Sequence, residues 1–137
     1  MVNYKRVFRS AIVIFLFALL WNGVVHLVLL RDADAILDTI GRPSNERSLV
    51  LSLVVTALIA ILFVWSYART VKYGTVREGV KHGLFFGILA GVLVDLNQYI
   101  LYPIPALLAL EWFVFGLIEF CLYGVIVGKF YPVDDKK

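Results

Sequence analysis

Charge, cysteine and proline are all scarce in this sequence. Charged residues make up 17% of the 137 positions and the mean hydropathy is +0.88. A soluble domain of this length would carry more charge and shorter apolar runs. Cys121 is the only cysteine, which excludes an intrachain disulfide and supplies too few thiolates for a zinc–cysteine site or an iron–sulfur cluster. Inside an apolar run it is expected to pack as a small apolar residue. The four prolines, Pro43, Pro103, Pro105 and Pro132, all lie outside the long apolar runs, where they stop helices rather than kink them. There is no G-x-S-x-G elbow and no glycine-rich phosphate loop. Ser52 and Ser66 have no histidine at a matching level, so nucleophilic hydrolysis has little support.

Four apolar runs are present instead: residues 10–30, 49–68, 83–102 and 106–128. Each meets the requirement of about 20 residues for a hydrocarbon core of roughly 30 Å. The expected fold is an all-α, four-helix integral membrane bundle, a single transmembrane domain over 1–137. Lys5, Arg6 and Arg9 precede the first run as in a signal peptide. The run is too long for a cleavable core, however, and no small-x-small site follows it, so it reads as a retained span.

The connections carry their own signals. In segment 31–48, Ala33, Ile36, Leu37 and Ile40 fall at helical spacing, with Asp32, Asp34 and Asp38 elsewhere around the helix. Gly41 and Pro43 end the pattern, predicting a short amphipathic surface helix near 32–40 with its aspartates in solvent. Gly74 suits a left-handed residue after the second span. Thr75 and Glu78 have the spacing of a capping box opening the third, and Pro103 closes it. The four residues Arg69, Lys72, Arg77 and Lys81 join the three at each end of the chain on one side of the membrane, against Arg31, Arg42 and Arg47 on the other. That asymmetry places both termini in the cytoplasm, with Lys81 and His82 as interfacial anchors. In size and span number the chain resembles small four-span bacterial membrane proteins, so a bacterial cytoplasmic (inner) membrane is the expected location. The net charge of +3 sits beside the spans, where lipid headgroups account for it without nucleic acid.

Polar residues within the spans are the candidate functional groups, because ionisable side chains there face the protein interior or a watery cavity. Counting from each span's outer end at 1.5 Å per residue, His26 and Gln98 lie about 6 Å deep and Glu111 about 8 Å. Asp95 follows at about 10 Å and Asn22 at roughly 12 Å. These five are expected to form an outward-opening polar layer, the alternative being side chains that only bond one another. Glu119 lies deeper, about 20 Å in, with no polar residue of the other spans at its level. A carboxyl there would be protonated and structural, would pair across a subunit interface, or would relay protons.

The sharpest motif is a stripe of glycines at every fourth residue, Gly79, Gly83, Gly87 and Gly91, answered by Gly116, Gly124 and Gly128 on the fourth span. Small residues at this spacing let helix backbones approach closely in lipid, either within the bundle or between copies. A haem would need two histidines at one depth, yet His26 and His82 lie at opposite faces. A metal at His26 would have ligands of suitable type in Asp95 or Glu111 but no local spacing motif. No cofactor is therefore expected. Two functions fit: a non-catalytic subunit that assembles with copies of itself or a larger membrane complex through its glycine faces, and a small transporter or proton/ion-translocating protein using the polar pocket.

Overall fold

The computed structural model describes residues 2–132. Among them four helices are long and apolar enough to cross a membrane, Tyr4–Leu29, Leu49–Thr70, Val76–Leu101 and Ala106–Phe130, and there are no strands. They are the first to fourth spans below. The first three start where a side chain satisfies free amides of the first turn, whereas the fourth, opened by Pro105, has no side-chain cap. The Asn3 side chain accepts from Arg6 N at 3.1 Å, which starts the first span ahead of its apolar run. Ser48 accepts from Leu51 N at 3.2 Å at the start of the second.

The turn between the second and third spans is held by one carboxylate. Gly74 has φ of 68°, a conformation that favours glycine. The capping box is formed, with Glu78 N donating to Thr75 Oγ1 at 3.2 Å and Thr75 N to Glu78 Oε2 at 3.4 Å. Glu78 also accepts from Lys72 N at 3.2 Å and Tyr73 N at 3.0 Å. Hardly any free loop remains between the second and third spans, which meet through Ser66 and His82 and through the rings of Phe63 and Phe86.

The first and last described segments lie at one end of the bundle. Arg6 Nη1 donates to Pro132 O at 2.6 Å, Arg9 Nη2 to Phe130 O at 2.9 Å, and Asn3 N to the Tyr131 hydroxyl at 3.0 Å. This half is tightly packed. Ile14, Ala18, Ala60, Phe63, Val64, Tyr67, Tyr123 and Val127 are buried against one another, and Phe63 meets the rings of Phe86, Phe120 and Tyr123 at 5.4 to 5.9 Å. Toward the opposite end the second span diverges, leaving Leu49, Val50, Leu51, Val54 and Leu58 exposed on a surface suited to lipid.

The third and fourth spans make the closest contact, and the glycines are its cause. An added Cβ would lie 2.0 Å from Gly124 O at Gly79, 2.1 Å from Phe120 O at Gly83, and 2.3 Å from the Phe113 ring at Gly91. Gly87 faces Leu117, and Gly124 and Gly128 meet the backbone near Gly79 and Val76. The stripe's contact is thus intramolecular: the two glycine faces close on each other within one chain. Gly116 departs from the pattern, with nothing within 4 Å of a Cβ there.

The 31–48 connection differs from one continuous surface helix. It is two short helices, Arg31–Asp34 and Leu37–Ile40, broken by a turn, followed by a further turn at Ser44–Glu46. Ile36 and Ile40 pack on Val25, Leu30, Ile104 and Leu108 and cap the bundle's open end. The break lets Asp34 point inward while the apolar side chains still reach the bundle.

Candidate functional site

The open end of the bundle holds a cavity of about 340 Å³. The first span contributes Trp21, Asn22, Val25 and His26, and the third Ala90, Val94, Asp95 and Gln98. The fourth contributes Trp112, Phe115, Gly116, Glu119 and Phe120, and Leu37 covers the outer edge. No residue of the second span, Leu49–Thr70, lines it. The floor is Phe120, which belongs to the aromatic core of the other half.

Two of the three walls depart locally from α-helix. Val25–Leu29 and Gly91–Leu96 are π-helical turns, the first closed by Leu30 N donating to Val25 O at 2.7 Å. Each carries one of the cavity's ionisable residues, His26 and Asp95 respectively. An inserted residue rotates the following side chains around the helix, and such turns are frequent at functional sites. They make the cavity's composition hard to foresee from regular helical spacing.

Asp34 is the residue least expected near this site. It is expected in solvent, but its side chain is only 12% exposed. His26 Nδ1 donates to Asp34 Oδ2 at 2.7 Å, and Trp112 Nε1 donates to Asp34 Oδ1 at 2.9 Å. One carboxylate thus ties the capping segment to the first and fourth spans. It also fixes the imidazole tautomer, leaving Nε2 without the proton when the ring is neutral. Hydrogen bonds to a charged group contribute about 1.5–3 kcal/mol each. Asp34→Ala is therefore expected to destabilise the fold by about 2 kcal/mol or more, to shift Trp112 emission to the red, and to speed tryptic cleavage at Arg31, Arg42 and Arg47. Asp34→Asn, which keeps an acceptor for Trp112, should fall between. Unchanged cleavage and emission in Asp34→Ala would refute the tie.

Glu119 has partners, contrary to the expectation that none lies at its level. Asn22 Nδ2 donates to Glu119 Oε1 at 2.8 Å and to Ala18 O at 2.9 Å. The Tyr123 hydroxyl donates to the same Oε1 in a short hydrogen bond. The reason is axial offset. The first and fourth spans run antiparallel with Arg9 opposite Phe130, the Phe17 ring on the Tyr123 ring, and Leu30 in a cluster with Leu108. The fourth span therefore begins about one turn farther out than the first ends, and depths counted from each helix's own end are out of step. Tyr123 had a local signal, since residues four apart share a helix face. Both bonds converge on Oε1, and among the described residues Oε2 has no hydrogen-bond partner, on a side chain that lines the cavity.

The remaining candidates separate cleanly. Asn22, His26, Asp95, Gln98 and Glu119 border one cavity, while Glu111 does not and lies half-buried one turn outward of Phe115. Among the described residues no three of His, Cys, Asp and Glu come close enough to hold a metal ion.

At the opposite end, Ser66 and His82 are at matching levels after all, Ser66 Oγ lying 3.0 Å from His82 Nε2. His82 is not a simple interfacial anchor, for its ring lies among those of Phe63, Tyr67 and Phe86. The pair is arranged for structure rather than hydrolysis. Nε2 also lies 3.3 Å from Phe63 O, and the Ser66 hydroxyl donates to that carbonyl at 2.9 Å. A nitrogen that donates to a carbonyl cannot take the serine proton.

No protein-family model, curated protein or solved structure matches this chain.

Proposed function

We propose that the chain is a small membrane transporter in which the cavity binds a solute and its carboxyl groups exchange protons. The single observation that carries this reading is the convergence of Asn22, His26, Asp95, Gln98 and Glu119, from three helices, on one cavity. Structural polar groups would be expected to satisfy one another. Among the described residues Asp95 and Gln98 make no side-chain hydrogen bond, and both bonds to Glu119 fall on one of its oxygens. The Lys/Arg asymmetry orients the cavity toward the outside of a bacterial cytoplasmic membrane. The aromatic layer of Phe63, Phe86, Phe120 and Tyr123 is then the barrier on the cytoplasmic side.

Assembly through the glycine faces has less to recommend it. Those faces are occupied by each other, so a partner would have to use another surface.

The test is flux. Proteoliposomes containing the protein and a pH-sensitive dye should show proton movement, driven by an imposed membrane potential, that protein-free vesicles lack. Asp95→Asn should slow it at least tenfold, with the unfolding temperature unchanged within a few degrees. Vesicles as tight as the protein-free control would sink the transporter reading.

A further inference from the structure

Resting on that reading of the site, we infer that the cavity takes a small organic cation, a protonated or quaternary amine with a compact apolar body. The charge inventory points there first. Among the described residues no lysine or arginine lines the cavity, and two carboxyl groups, Asp95 and Glu119, do. The imidazole of His26 is already bonded through Nδ1 to Asp34. An anion or a free amino acid would thus find no cationic partner for its carboxylate or phosphate.

The walls narrow the class further. Trp21, Trp112, Phe115 and Phe120 enclose the polar groups, and aromatic faces attract cations, most strongly where water is excluded. Trp112 is held in place by its bond to Asp34, and Trp21 lies 6.5 Å from the Phe115 ring, so these surfaces are positioned before any ligand arrives. A divalent metal fits poorly, because the carboxyl groups and imidazole do not converge on a point. The cavity's volume of about 340 Å³ is at the lower end of ligand pockets and suits a small amine.

The anchor is Glu119 Oε2. Its sister oxygen is engaged by Asn22 and Tyr123, which holds the carboxyl in place in the cavity wall and leaves Oε2 for the ligand. Gly116, one turn outward, keeps the approach open: no atom lies within 4 Å of where its Cβ would be.

Benzyltrimethylammonium is a suitable probe, with neopentylbenzene as its uncharged isostere. Titrated into protein in lipid nanodiscs, the cation should quench tryptophan fluorescence saturably, and the isostere should bind at least tenfold more weakly. Glu119→Gln should weaken the cation at least tenfold, and Gly116→Phe should abolish binding by filling the cavity. Thermal unfolding of each variant reports that the fold is kept, and if Gly116→Phe unfolds, Glu119→Gln carries the test alone. Absence of saturable quenching, equal binding of the isostere, or full affinity in Glu119→Gln would overturn the inference. Cation binding without proton flux would leave this inference standing and remove the transporter reading, whereas flux with no cation binding would do the reverse.

Discussion

Replacing Gly83 by alanine is expected to lower the stability of the bundle by about 1–3 kcal/mol, the usual cost of overpacking, for the sake of one methyl group. The new Cβ would lie 2.1 Å from Phe120 O and 2.8 Å from Phe120 C, and 3.0 Å from Cys121 Cα. These are backbone atoms of a helix and cannot rotate away. The third and fourth spans would have to separate along the whole stripe, since Gly79 and Gly87 are in register with it. In lipid that separation is costly, because close backbone contact replaces the hydrophobic effect as the force that joins helices. Gly116→Ala is the matched control. Its Cβ meets nothing within 4 Å, and alanine is favoured over glycine in a helix by up to about 1 kcal/mol. Gly116→Ala should therefore be neutral or slightly stabilising. The measurement is unfolding in mild detergent, by heat or added denaturing detergent. Equal behaviour of the two variants would show that the glycine stripe is not the contact that holds these spans.

Glu119→Gln is expected to reduce proton flux at least tenfold while leaving the fold intact. The amide oxygen can accept from Asn22 and Tyr123 as Oε1 does, so both bonds and the local packing survive. What is lost is the oxygen that binds and releases a proton. In either protonation state of the native carboxyl, Oε1 can keep its two bonds while Oε2 takes or gives up the proton. The hydrogen-bonded side is thus a fixed hinge and the cavity side is the working one. Asn22→Ala tests the division of labour. It removes one donor to Oε1 but no ionisable group, and should reduce flux less than Glu119→Gln. Flux at the native rate in Glu119→Gln would mean that the carboxyl is only structural.

The sequence and the fold disagree at instructive places. Asp34 sits in a stretch of aspartates whose helical pattern puts them in solvent, and nothing local marks it as the one that turns inward. Its placement follows from the break at Ala35–Ile36 and from where His26 and Trp112 stand, which are facts about three separated segments. Glu111 looks equivalent to Asp95 by depth, yet it lies outside the cavity because depth says nothing of direction around the helix. The π turns shift direction further: His26 and Asp95 are each displaced from their regular helical bearing. Ser66 and His82 meet because their spans form a hairpin, a contact that estimated depths obscured.

What the sequence determined by itself is one-dimensional. Four apolar runs are long enough to span, with Pro103 and Pro105 stopping the third ahead of the fourth. Gly74, Thr75 and Glu78 build the turn, and a glycine stripe calls for a close neighbour. These follow from hydration, backbone sterics and hydrogen bonds among residues near in the chain. The tertiary structure alone decided how far each span slides along its neighbours. That offset depends on glycine surfaces meeting backbone and on side chains across helices, so no helix's own ends reveal it. It places Asn22 against Glu119, brings Asp34 to His26 and Trp112, and turns scattered polar residues into the wall of one cavity.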